Sequence, residues 1–246
     1  MRRFLTLVLP ILLTGTASAL ADDRAMALET VQKAIKAHGG DAALARARLC
    51  NRKLRGTLTL DKPYAFTAEF IEDLPNRWRG TFELTSATQK LSMVLVRDGD
   101  KGWRSSAGMI AELTKEEIDD LKEDSFVWWL ATLVPLNSED VNLAPLPEST
   151  MEGKSAVGLK VSSKGHEDVK LFFDKATHWL VAAQRRGNVA GQAVDKEYRF
   201  RDHKNIDGAV LPTRYVELTN KKTFVEVTAV TYQFPKRLED NLFAKP

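Results

Sequence analysis

The chain has 246 residues, with 36 Lys+Arg against 33 Asp+Glu and a formal charge of +3. That near balance argues against a nucleic-acid partner, which needs clustered basic charge. A single cysteine excludes an intramolecular disulfide, so stability has to come from a packed core.

Met1-Arg2-Arg3 forms a positive start, and Phe4–Leu13 follows as an apolar run of the length of a secretory signal h-region. Ala17-Ser18-Ala19 and Ala19-Leu20-Ala21 both satisfy the small-x-small cleavage rule. A cut after Ala21 is preferred, because Asp22-Asp23 opens a polar stretch. A membrane anchor would need about twenty apolar residues, and Pro10 interrupts this run. Loss of Arg2 and Arg3 with the leader lowers the formal charge from +3 to +1. The expectation is a signal peptide over 1–21 and one exported domain over 22–246, read as a monomer with no stable membrane span.

Helical spacing of Met26, Val31, Ala34 and Ile35 predicts an amphipathic helix over 25–37, ended by His38-Gly39-Gly40. A second helix is expected from Asp41, as N-cap, to about Leu49. Cys50 follows it and is read as buried, the usual state of a free thiol.

The period then changes to two. Strands are predicted over 53–60, 64–71, 78–84, 90–96 and 102–104, separated by the turn signals Asp61-Lys62-Pro63, Leu74-Pro75-Asn76 and Arg97-Asp98-Gly99-Asp100. Such close spacing means antiparallel meander pairing. Thr114 with Glu117 three residues on is a capping box that opens an inserted helix bearing Ile118, Leu121, Phe126, Trp129, Leu130 and Leu133, which stops before Pro135. The segment 141–153, with Pro145 and Pro147, reads as a loop. Strands resume over 156–162, 169–173, 179–186, 194–200, 210–218 and 224–232. The fold class is therefore mainly β with flanking helices, an antiparallel arrangement of about eleven strands in a single domain.

No motif announces catalysis or a metal. His38, His166, His178 and His203 are scattered without ligand spacing, and neither HExxH, CxxC nor GxSxG occurs. The pairs Asp119-Asp120 and Glu116-Glu117 read as a solvated helix face. No enzyme activity, cofactor or metal is expected. The inserted helix, with Phe126-Val127-Trp128-Trp129-Leu130, is too apolar all round for a surface helix. Either it plugs a curved sheet as core, or it lids an apolar ligand cavity.

The order of elements resembles the LolA/LolB-like superfamily of outer-membrane lipoprotein-sorting proteins. The resemblance rests on the helix–Gly–Gly–helix stretch Ala34–Leu44, on Leu74-Pro75-Asn76-Arg77-Trp78-Arg79, on Arg97–Trp103 with its Asp-Gly hairpin, on Asn205–Pro212, and on the tail Leu238–Phe243. It implies a curved, incomplete antiparallel barrel covered by helices, with an apolar cavity for acyl chains. It further implies a non-enzymatic periplasmic carrier of a lipid, acyl chain or lipoprotein, with envelope proteins as partners. On that reading the cavity residues are Phe66, Phe70, Trp78, Phe82, Met93, Leu95, Trp129 and Leu133. Arg77 and Arg79 are expected at a head group or rim, or as solvated strand charges. The alternative is a structural or interaction domain of the envelope whose barrel is filled by its own side chains.

Overall fold

The computed structural model describes residues 16–87, 90–189 and 191–246; the apolar leader run Phe4–Leu13 lies outside them. Helix α1 spans Thr16–Ala37 and α2 spans Asp41–Ala45, running into a 3-10 turn at Arg46–Arg48. Six strands follow: β1 Leu49–Thr59, β2 Pro63–Asp73, β3 Arg77–Thr85, β4 Lys90–Asp98, β5 Lys101–Ser106 and β6 Met109–Glu112. After helix α3, Lys115–Ala131, come β7 Val141–Met151, β8 Lys154–Ser163, β9 Val169–Asp174 and β10 Leu180–Val189. The last three strands are β11 Gln192–Ile206, β12 Ala209–Thr219 and β13 Lys222–Gln233.

All the strands form one antiparallel sheet in the order β6-β5-β4-β3-β2-β1-β13-β12-β11-β10-β9-β8-β7, which does not close. Every neighbouring pair but one is a hairpin. The exception is β1 with β13, where Leu54 faces Val230 and joins the two halves of the chain. The edges, β6 and β7, are consecutive in sequence and linked only through α3. That helix must therefore cross from one edge to the other, and it does so over the concave face. The architecture is a curved, incomplete barrel covered by helices.

Sequence reading counts eleven strands where thirteen exist, and the two it misses are the edges. The segment over 141–153 is strand up to Met151, with a register irregularity between Leu146 and Ser149 that accommodates Pro147. Proline removes a ladder donor and is tolerated at an edge or bulge. β6 is short and fully exposed, so it carries no burial alternation to read. Two smaller corrections concern the start of the domain. Gly40 with φ 87°, not Asp41, occupies the N-cap of α2, and Met26 is 53% exposed while Ala27 takes the buried position.

The main core packs α1, α2 and α3 against the concave face, with Val31, Leu44, Phe126, Leu130, Leu159, Leu171 and Val227 among its buried members. The capping box of α3 forms as expected, Thr114 N–H donating to Glu117 Oε2 at 2.8 Å. Cys50 is buried, which pushes its thiol up to about 12. Among the described residues no helix is long and apolar enough to cross a membrane.

Two glycine-bearing motifs far apart in sequence meet in space. Val210 N–H donates to His38 O at 2.9 Å, and Arg46 reaches Asp207 O. Gly39, at φ 104°, lies so close to the β11–β12 turn that a Cβ would stand 1.9 Å from Gly208 O. Gly39→Ala combines a left-handed backbone with a backbone clash, so it is expected to destabilise the fold by about 2 kcal/mol or more, read as a lowered denaturation midpoint.

Candidate functional site

In antiparallel pairs directly opposed residues share a face, so register alone divides the concave surface. One part lies under α3. There Arg52 on β1 makes a bidentate pair with Glu72 on β2, both contacts at 2.7 Å and both side chains buried. Trp128 of α3 covers the Arg52 guanidinium at 3.9 Å and packs edge-on to Tyr198, Phe200 and Tyr215. Arg52 Nη1 has no hydrogen-bond partner among the described residues, and the indole face supplies the attraction instead. The space left beside this stack, next to His38, Cys50 and His203, is about 50 Å³. That holds a few waters and not an acyl chain.

Further along α3, Asp120 and Asp124 point at the sheet. Arg185 Nη2 lies 2.8 Å from Asp120 Oδ1, Lys196 Nζ lies 2.7 Å from Asp120 Oδ2, and Tyr198 donates to Asp124 at 2.5 Å. Arg185 also pairs with Asp124. Arg185 and Lys196 are buried. Burial opposes the Asp124 charge, but Lys196 and Arg185 beside it hold its carboxyl well below the usual range. Burial likewise opposes the Lys196 charge, yet Asp124 raises its pKa. Two cations thus balance two carboxylates. Glu217, opposite Tyr198 in register, is a third acid in the same place, and burial together with Asp124 pushes its pKa up. Sequence reading assigns Asp120 to a solvated face; the structure corrects this. Apolar periodicity identifies the helix but not which polar residues meet buried cations from strands sixty residues away.

The other part, over β2–β5, is not covered by a stack. Phe70, Trp78 and Phe82 form an aromatic cluster with centroid separations of 5.2, 5.4 and 6.2 Å. Met93 lies opposite Phe82 and Leu95 opposite Gly80, so both continue the same face. Phe70, Phe82, Met93 and Leu95 are half-buried. At the β4–β5 end of this face, between Leu95 and Arg104 and the first turns of α3, runs an open groove of about 520 Å³, lined also by Leu113, Leu121, Glu117 and Asp120. Its size falls within the range of about 300–1,000 Å³ usual for small-ligand sites.

The remaining sequence-predicted residues sit elsewhere. Phe66 and Leu133 are core, 8% and 0% exposed, and Trp78 is 8% exposed beneath Phe70 and Phe82. Trp129 packs against Phe126, whose other face stacks on His166 at 3.8 Å. Strand alternation turns Arg77 and Arg79 to the face opposite Trp78. Arg77 there binds Asp73 at 2.8 Å and Asp240 at 2.6 Å and lies over Phe243, while Arg79 donates to Leu242 O at 3.2 Å. Both arginines hold the C-terminal tail, away from the groove.

His38 and His203, scattered in sequence, stand together in the fold, ring centroids 5.8 Å apart. His38 Nδ1 donates to Ala34 O at 2.9 Å, which leaves Nε2 to accept from Leu180 N–H at 3.4 Å. His203 Nε2 donates to Leu180 O at 3.0 Å. Burial lowers both imidazoles, and with the help of His38 it brings His203 down to about 4.

No family model matches the chain, and no curated protein matches it in sequence. Solved structures do match in fold. A LolA superfamily protein from Nitrosomonas europaea aligns over 83% of this chain and 96% of its own, with a TM-score of 0.52 at 15% identity. A domain of a proposed outer membrane lipoprotein-sorting protein from Vibrio parahaemolyticus aligns over 90% and 97%, at 0.53 and 14% identity. A DUF1329 family protein from Desulfovibrio piger aligns over 89% and 97%, at 0.55 and 12% identity. The fold is LolA-like.

Two predictions follow from these clusters. Asp124→Ala leaves the buried Arg185 and Lys196 to share Asp120 in direct contact, and chemical denaturation should show a loss of about 3 kcal/mol. Because the folded state depresses the His203 pKa to about 4 from 6.5, its stabilising contribution is complete above pH 6.5 and is lost as pH falls toward 4. Relative to His203→Gln, the unsubstituted protein should therefore lose thermal stability across that window.

Proposed function

On the premise of a LolA-like fold, we propose that this chain is an exported, non-enzymatic carrier or binding protein for a lipid, acyl chain or lipoprotein in the bacterial periplasm, its leader cleaved after about Ala21. The observation that carries this reading is the open groove between α3 and β4–β5. A folded protein gains by burying aliphatic side chains, yet Leu95, Leu113 and Leu121 line unfilled space, and half-buried Met93, Phe82 and Phe70 continue the sheet face on which Leu95 lies. An acyl chain laid on that floor completes their burial without any reacting group. Arg104 and Glu117, paired at 3.1 Å on the groove wall, supply a polar border against a head group. Trp129 and Leu133 serve this site indirectly, by fixing the helix that forms its roof.

The second reading, an envelope interaction domain with a self-filled barrel, has one observation in its favour: Trp128 stacked on Arg52 leaves only about 50 Å³ beneath the C-terminal end of the helix. The two readings part at the groove. Mass spectrometry of organic extracts from natively purified protein should show a bound lipid, and a fluorescent fatty-acid analogue should bind. Leu95→Asp should weaken that binding about tenfold or more, since it replaces one apolar contact with a charge. An empty extract together with no probe binding would favour the self-filled domain.

A further inference from the structure

Among the described residues the exposed large hydrophobic side chains are Met26 53%, Leu60 56%, Leu91 40%, Met109 74% and Ile110 45%. All but Met26 lie at one end of the sheet. Antiparallel order places the β1–β2, β3–β4, β5–β6 and β12–β13 turns side by side along one rim. With strands about 4.8 Å apart, neighbouring turns stand about 10 Å apart and the four span about 30 Å. Leu60 is in the first turn, Leu91 just past the second, and Met109 and Ile110 follow the tight Ala107-Gly108 turn, whose φ angles are 50° and 77°.

Two of these residues continue rows of the concave face. Met109 lies opposite Ser106, Ser106 opposite Met93 and Met93 opposite Phe82, so the Phe82 row of the concave face ends on Met109. Leu91 lies opposite Leu84, which lies opposite Phe66. Leu60 lies in the bend just past the end of β1. The apolar face therefore runs out of the groove into solvent. Exposed lysines accompany it: Lys62 in the first turn, Lys90 beside Leu91, and Lys221 and Lys222 at the fourth turn. Against them stand Asp61 and Glu83, the latter 3.5 Å from Lys90. The fourth turn, Asn220-Lys221, is followed at once by Lys222; Asp195, bonded to Asn220 across the β11–β12 pair, has its carboxylate held by Arg186 at 2.9 Å.

We propose that this rim is a docking surface for a lipid bilayer bearing anionic head groups. Met109, Ile110, Leu91 and Leu60 enter the interfacial layer, and Lys62, Lys221 and Lys222 meet the phosphates. Apolar residues at turn tips flanked by lysines fit a surface that is apolar beneath and negative above. The surface rests on the exposed side chains alone; its use for loading the groove rests on the carrier reading.

The test is co-sedimentation of the purified protein with phosphatidylcholine vesicles, with and without added phosphatidylglycerol. Binding should require the anionic lipid and weaken with added salt. Met109→Asp/Ile110→Asp should abolish it, and each of Lys221→Glu and Lys222→Glu should weaken it about fivefold or more. All four positions are exposed, so melting temperature should be unchanged and confirms folding. Leu95→Asp should leave vesicle binding intact while reducing uptake of the fatty-acid probe, which separates docking from carriage. No binding to anionic vesicles, equal binding to neutral ones, or binding indifferent to the rim substitutions overturns the proposal. So does concentration-dependent self-association that the Met109→Asp/Ile110→Asp change removes while vesicle binding persists, which assigns the edge to a second copy of the chain.

Discussion

Helix α3 joins the two edges of an open sheet, and the ion cluster of Asp120, Asp124, Arg185 and Lys196 fixes where it crosses. A helix resting on an apolar floor can slide, because hydrophobic contact is not directional. Buried charges cannot slide, since any displacement leaves an ion unpaired in low dielectric. The cluster contributes registration more than net stability, since desolvation offsets much of the attraction of a buried pair. Trp128 over Arg52 acts in the same way one turn further on, with a π face in place of a carboxylate.

That placement divides the concave face. Toward β7–β13 the helix, α1 and the sheet close into a core in which Leu130, Leu133 and Leu136 are 0% exposed. Toward β2–β5 the helix stands off the floor and the groove remains. Had the anchoring cations been on β3 or β4, the same helix would have covered Phe82 and Leu95 and left its space elsewhere. The groove is thus a consequence of which strands carry Arg185 and Lys196.

The N-terminal helices bear on the other flank. Arg24 donates to Val141 O at 3.0 Å, so α1 covers the edge strand β7, and Gly39 seats its C-terminal end on the β11–β12 turn. An edge with open backbone groups invites pairing with another chain. β7 is shielded from that by α1 and by its prolines. β6, at the opposite edge, has neither protection and carries the most exposed apolar residue of the described chain, Met109.

Local pattern determined a good deal by itself. Alternation and turn residues place eleven of the strands; the capping box at Thr114 starts α3 where expected, and the apolar circumference of that helix marks it as buried. Opposition of Trp78 to Arg77 and Arg79 follows from a period of two. These features depend on neighbours within a few residues, so they are written in the chain. The edge strands escaped because exposure or proline erases their alternation. The pairings of Asp124 with Arg185, of Trp128 with Arg52 and of His38 with His203 escaped for another reason. Each joins residues sixty or more positions apart, and no periodicity links them. The candidate cavity residues are separated by the tertiary structure: Leu95 lines the groove, Phe70 and Phe82 pack half-buried against the core, and Phe66 and Leu133 are core. A strand's pattern states which face a side chain takes; only the crossing of α3 decides whether that face is covered.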